Sequence, residues 1–333
     1  MTIRALSSLF VFTVLVAAAP AASADTVLRI ATLAPEGSSW MKLFHQWQKG
    51  VETGTQGRVK IKFYSGGVQG DEKDVLRKIK LGQLSGAAIT GIGLAAVNLE
   101  VRALDLAQNY GELDYLRSQL GPRLSKSFAD KGYILLGWGD VGPVHLFSNK
   151  PVTSLEGMKS LKLWLWSDDP ISKKLFDKLD LHGVPMGVPD VLPGLSTGSI
   201  DAFFGAPLST LALQWSTKVK YMTTMIVSQA TGATLVSKAA WVTIGAADQK
   251  VILDEGAKLE QDVLKQVRGD NVKALESMKA RGLQVIATPE AFEKDLADKG
   301  AKLAEEIGQT MSKDFQEQVR KLIETYRKDH GKK

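Results

Sequence analysis

Val27-Leu28-Arg29-Ile30-Ala31-Thr32, then Pro35-Glu36-Gly37-Ser38-Ser39, then Trp40, Leu43, Phe44, Trp47 and Val51 at helical spacing: these residues decide the fold. The first run is apolar and reads as a strand. The second is a turn ending in residues that cap a helix. The third is one face of that helix. Gly54 and Gly57 bracket its stop, and Val59-Lys60-Ile61-Lys62-Phe63-Tyr64 alternates as a strand does. Gly66-Gly67 turns the chain, Val75, Ile79 and Leu81 mark the next helix, and Gly86-Ala87-Ala88-Ile89-Thr90 is a short buried strand. This is βαβαβ, so a mainly parallel sheet covered by helices is expected.

The pattern restarts past the middle. Tyr133-Ile134-Leu135-Leu136-Gly137-Trp138, Leu161-Lys162-Leu163-Trp164-Leu165-Trp166 and Ile200-Asp201-Ala202-Phe203-Phe204 read as strands. Ile171, Leu175, Phe176 and Leu179 form a helix face, and Leu235-Val236-Ser237 is expected to cross back. From Ala247 to about Arg281 runs a long helical pattern carrying Ile252, Leu259, Val263, Val267 and Met278. A closing helix carries Phe315, Val319, Leu322, Ile323 and Tyr326. No repeat or low-complexity linker separates the two α/β halves, so the chain is expected to pass between them more than once.

Arg4, the apolar run Leu9 to Ala19, Pro20 and the small-x-small site Ala22-Ser23-Ala24 read as a cleaved secretory signal peptide, residues 1–24. The run is too short to span a bilayer comfortably, so the mature chain is expected to be exported and soluble. It has no cysteine, which excludes disulfides, thiolate catalysis, thiolate zinc sites and a lipid on the new N-terminus. Losing Arg4 lowers the formal charge of +6 by one. The excess is spread out, and no nucleic-acid partner is expected.

Two motifs imitate enzymes. Gly194-Leu195-Ser196-Thr197-Gly198 spells the G-x-S-x-G nucleophile elbow. That motif needs a strand before it and a helix after it; here a strand follows, and the only later histidine is His330. A helix end marked by Gly198 is the reading preferred. Gly91-Ile92-Gly93-Leu94-Ala95-Ala96 matches G-x-G-x-x-A, but Glu112 and Asp114 do not close a following strand as a dinucleotide site requires. There the glycines are read as letting a loop sit at the end of the strand. His45, His145, His182 and His330 are scattered without metal spacing. Asp71-Glu72 and Asp168-Asp169 are read as helix caps. No metal and no cofactor is expected. The tryptophans at strand ends are the sharper feature: Trp138, Trp164 and Trp166, with Phe203 and Phe204 on another strand and Trp40 after the first.

As an ordered series these residues resemble the substrate-binding receptors of TRAP transporters, the DctP-type proteins. Leu28 to Trp40 resembles the family's opening, and Gly57 to Glu72 its next segment. Pro151-Val152 with Leu155 to Lys162 resembles its mid-chain segment, and Gly198-Ser199-Ile200-Asp201-Ala202 its glycine–aspartate strand. Val219-Lys220-Tyr221 and Val236 to Trp241 fit as well. The resemblance implies an α/β fold of two lobes with a hinge and a long helix spanning both. It also implies a small-molecule ligand and a partner, the integral membrane subunits of a TRAP permease. No covalent chemistry is implied. Lobe I is expected at 25–145 and 232–262 and lobe II at 146–231 and 263–333, with crossovers near 142–150 and 228–236. A monomer is expected.

One departure bears on the ligand. The family's carboxylate-clamping arginine, after its Gly-x-Lys segment, is replaced here by Trp164. Phe203-Phe204-Gly205-Ala206-Pro207 stands where an asparagine is usual, and Val144 precedes His145 where an arginine is frequent. A planar guanidinium grips a carboxylate through two charge-assisted bonds; without it a small dicarboxylate loses its anchor. The expected ligand is apolar, aromatic or amphipathic. The expected site is Trp40, Gln69, Glu72, Thr90, Gly91, Trp138, Asp140, Trp164, Trp166, Phe203, Phe204 and Gly205. Competing expectations are a carboxylate held by a relocated cation, Arg77 or Lys162, a secreted hydrolase using Ser196, and a purely structural or chaperone-like protein.

Overall fold

The computed structural model describes residues 26–331 apart from 168 and 310, so the expected leader lies outside the described residues. The first half alternates β1 (Thr26–Thr32), α1 (Ser39–Gly54), β2 (Val59–Tyr64), α2 (Glu72–Lys80), β3 (Gly86–Thr90) and α3 (Gly91–Val97). A 3-10 segment, Leu99–Leu106, and α4 (Tyr110–Asp130) lead into β4 (Tyr133–Ser148). The second half holds α5 (Leu155–Lys159), β5 (Leu163–Trp166), α6 (Pro170–Leu179), β6 (Gly183–Met186), α7 (Val188–Thr197), β7 (Ala202–Gly205) and α8 (Pro207–Ala212). Then come β8 (Tyr221–Thr223), β9 (Ser228–Ser237), α9 (Lys238–Trp241), α10 (Ala246–Ala280), β10 (Gln284–Ile286), α11 (Glu290–Gly308) and α12 (Lys313–His330).

Local chemistry sets several of these boundaries. Ser38 caps α1 by accepting from Met41 N at 3.3 Å. Asp71 caps α2 through Glu72 N at 2.7 Å, and Asp169 caps α6 through Ile171 N at 3.0 Å. Asp71 and Asp169 thus cap as their positions announced, whereas Glu72 is the first residue of α2 and accepts from Thr90 and Gly93 instead; Asp168 lies outside the described residues. Gly198 closes α7 in the left-handed conformation, φ 72°. Ser196 sits on the exposed side of that helix, its hydroxyl bonded back to the Leu192 carbonyl at 2.8 Å. G-x-S-x-G here is a helix end.

The strands run β2-β1-β3-β9-β4-β7-β5-β6, with β8 and β10 beside β4. β1 pairs in parallel with β2 and β3, as the βαβαβ pattern requires, and β5 does so with β6 and β7. β9 and β4 are the antiparallel elements between them. β4 runs along β9 from Tyr133 to Val144, then pairs β7 from His145 to Ser148. The two lobes therefore share one continuous ladder. The strand itself carries the chain across, with shifts of its pairing register between Leu135 and Gly137 and between Asp140 and Gly142.

Each lobe has a core on both faces of its strands. Leu94, Leu104, Leu116 and Phe128 belong to one cluster of the first lobe, and Leu28, Ile30, Trp47 and Val51 to the other. Phe147, Val191, Phe203 and Trp215 belong to one cluster of the second lobe, and Leu146, Leu163 and Phe176 to the other. Helix α10 has 35 residues, a length of about 52 Å at the standard rise. Ile252 lies in the first lobe's core and Met278 in the second's. Val263, Val267 and Ala274 between them pack with Leu43 and Leu208, so the helix braces both lobes. The assignment of 263–333 entirely to lobe II fails at α12. Phe315 and Val319 are buried with α4 residues in the first lobe's core, and Arg327 donates to Glu112 at 2.8 Å.

Candidate ligand-binding site

A cavity of about 1430 Å³ opens between the lobes. Its walls come from where the topology puts strand ends. β3 ends at Thr90, β4 crosses at Trp138 to Asp140, β5 ends at Trp166 and β7 at Gly205, all on the lining. Ligands bind at such carboxyl ends in open α/β sheets. Trp164 and Trp166 both line it, as the two-residue alternation of a strand requires. Their rings lie 5.5 Å apart, and Trp164 meets Trp215 edge-on at 5.2 Å. Trp164 N–H donates to the Met186 carbonyl at 3.0 Å and Trp40 N–H to the Asp140 carbonyl at 3.0 Å. With their indole donors bonded to protein, these rings offer apolar faces.

Ten of the twelve expected residues line the cavity: Trp40, Glu72, Thr90, Gly91, Trp138, Asp140, Trp164, Trp166, Phe204 and Gly205. Gln69 and Phe203 do not. The Gln69 side chain and carbonyl both accept from Lys78 Nζ at 2.9 Å, on the outer side of α2. Phe203 is fully buried, stacked on Phe147 at 5.3 Å. Its neighbour Phe204 takes the opposite face of the strand and reaches the lining. Asp140 requires a second correction. Its carboxylate accepts from Arg117 at 2.6 Å and Arg268 at 2.7 Å and has no exposure, so it joins β4 to α4 and α10 and is not available to orient a ligand.

Glu72 lies at the start of α2, a nearly buried residue of the lining. Thr90 N donates to it at 2.7 Å, Thr90 hydroxyl at 2.9 Å and Gly93 N at 2.8 Å. Burial pushes its carboxyl up to about 7, against the downward pull of those donors. A Cβ at position 93 would lie 2.5 Å from the carboxylate. The second glycine of G-x-G-x-x-A therefore makes room for an acidic side chain already present. α3 begins directly at Gly91 where a loop was expected, and its first amides are taken by Glu72 and by Thr90, which accepts from Ile92 N at 3.2 Å.

Neither relocated cation is there. Arg77 is exposed beside Asp74, and Lys162 is bonded to the Gly198 carbonyl. The cation of the inner cleft is Arg102, which the sequence reading missed. It lies in the 3-10 segment, bonded to Asp105 of its own turn and, at 3.1 Å, to Asp169 of the opposite lobe. An arginine alone in Leu99-Glu100-Val101-Arg102-Ala103-Leu104 was the available signal. At the outer end Arg320 pairs with Glu317 and Glu324, and Arg327 with Glu112. No lysine lines the cavity among the described residues. His145 is a core residue whose Nδ1 donates to the Thr223 and Met225 carbonyls at 3.1 and 3.0 Å, and burial lowers its pKa.

A two-lobed α/β fold with an aromatic cleft and a bracing helix defines a solute-binding protein. Residues 30–320 match the model of DctP, bacterial extracellular solute-binding protein, family 7, and the chain belongs to that family. It is a family of binding proteins, not enzymes. A solute-binding protein of Verminephrobacter eiseniae is 24% identical over 274 residues, 80% of this chain and 80% of its own. The sugar acid binding protein DctPAm of Advenella mimigardefordensis, in complex with galactonate, superposes with a TM-score of 0.84 at 18% identity, over 91% of this chain and 99% of that one. DctP7 of Bordetella pertussis, an extracytoplasmic solute receptor binding pyroglutamic acid, does so at 0.82 and 20% identity, over 91% and 99%.

Proposed function

We propose that the chain is an exported receptor, freed of residues 1–24 in the periplasm, that closes on a small ligand and delivers it to a TRAP permease. The lobes are 25–145 with 232–262, and 146–231 with the chain from 263 as far as α11. The ligand is largely apolar, aromatic or amphipathic. One observation carries this: each arginine on the cavity lining already holds a carboxylate, and tryptophan, phenylalanine and aliphatic side chains make up most of the lining, with polar side chains such as Gln108, Ser172, Ser209 and Ser228 among them. Apolar burial contributes about 25 cal/mol per Å², so a ligand hiding about 200 Å² gains about 5 kcal/mol before ordering costs.

Native mass spectrometry of protein purified from its own periplasm identifies the ligand. Calorimetry with succinate tests the class, and no heat of binding is expected. Tight succinate binding overturns the reading. The competing carboxylate receptor has two observations in its favour, Arg102 on the lining and the carboxylates, galactonate and pyroglutamic acid, that the two similar solved proteins bind: here a ligand carboxylate would exchange for Asp169. In that case Arg102→Gln abolishes binding while Trp164→Arg improves it, the reverse of what an apolar ligand requires.

A further inference from the structure

We infer that Asp71 is the positioning residue that couples lobe closure to the tryptophan wall of the cleft. Asp71 belongs to the first lobe and does not line the cavity. One of its oxygens caps its own helix α2. The other crosses to the second lobe, where it accepts from Val188 N at 2.9 Å and from Trp166 Nε1 at 2.9 Å. Val188 is the first residue of α7, and that helix has no side-chain cap of its own. A carboxylate at a helix N-terminus satisfies orphan amides and meets the positive end of the dipole. So α7 receives from the opposite lobe the cap its own sequence lacks.

Gly187 is part of the device. It occupies the N-cap position of α7, and a Cβ there would lie 2.8 Å from the Asp71 oxygen. Glycine leaves α7 uncapped and leaves room for the incoming carboxylate. The second bond sets the wall. The Trp166 indole, tilted against Trp164, is anchored at its nitrogen to a residue that is in place only when the lobes meet. Closure thereby orients the ring against which a ligand packs. Arg102 and Asp169 make a separate cross-lobe pair elsewhere on the lining, so Asp71 can be tested alone.

Asp71→Ser keeps a capping hydroxyl for α2 but is too short to reach α7. The chain has no cysteine, so labels at Leu81→Cys and Ser196→Cys, both exposed, report the distance between lobes by pulsed electron spin resonance. Full-length protein refolded from guanidinium is ligand-free. We expect a short-distance population that falls at least about tenfold in Asp71→Ser, since bonds to a charged acceptor are among the stronger ones. Gly187→Ser, which caps α7 locally and crowds Asp71, should shift it the same way. In both variants the Trp166 indole ¹⁵N–H resonance, assigned by its loss in Trp166→Phe, should move while the other tryptophans hold. An unlabelled Asp71→Ser with the parent's melting temperature excludes simple unfolding. A parent with no short-distance population, or a variant retaining it, overturns the proposal. Neither result bears on whether a ligand binds, which calorimetry reads separately.

Discussion

Glu72 shows how a single buried acid links the cleft to solution conditions. Burial raises its carboxyl to about 7 in the fold, from an ordinary value near 4.5. The folded state therefore binds a proton more readily than the unfolded chain between those two values. Its contribution to stability is full below about 4.5, falls as pH rises towards about 7, and is constant above. The slope of unfolding free energy against pH over that window should flatten in Glu72→Gln; an unchanged slope would assign the titration to another group. Trp164 is the second decisive residue. It is nearly buried and packs on Trp166 and Trp215, so Trp164→Ala should cost about 3–5 kcal/mol in denaturant unfolding. It should also weaken an apolar ligand more than tenfold by calorimetry.

At the scale of elements, α10 joins what the strands only connect. Asn271, buried on this helix, donates to the Val141 carbonyl at 3.0 Å and accepts from Leu208 N at 3.0 Å. One side chain thus ties α10 to the crossing region of β4 and to the start of α8. Asn271→Leu strands a buried amide and a partly buried carbonyl. Each such loss costs about 1–3 kcal/mol, so the urea midpoint should fall with the m-value unchanged. A neutral effect would mean that α8 is held by packing alone. Nearby, Arg268 grips Asp114 at 2.6 and 2.7 Å and Asp140 at 2.7 Å. The same helix therefore fixes the carboxylate that the sequence offers as a ligand contact.

For the whole molecule, the ladder shared through β4 and β9 leaves hinge bending as the available motion, with α10 as its brace. Small-angle scattering should show a smaller radius with the ligand than without it. A radius that never changes would describe a rigid body and remove the closing step. Ligand at a hundred times its dissociation constant should stabilise the fold by about 2.7 kcal/mol, visible as a raised melting temperature.

Much of what depends on neighbours along the chain was legible before the fold, although the Thr90-capped helix α3 was expected to be a loop. The βαβαβ opening, the caps at Ser38, Asp71 and Asp169, the helix from Ala246 to Ala280 and the common face of Trp164 and Trp166 all follow from spacing and local hydrogen bonding. The tertiary structure alone decided what depends on distant partners. Alternation says that Phe203 and Phe204 face opposite ways, but only the packing of Phe147 and Trp215 says which one is core. Asp140 reads as a polar group at a strand end until Arg117 and Arg268, 23 and 128 residues away, take both its oxygens. α12 has an amphipathic face that fits either lobe, and α4 claims it. Arg102 became the cation of the cleft because Asp169 meets it from the opposite lobe. A charge is placed by the burial and pairing available to it in three dimensions, and no local pattern encodes that.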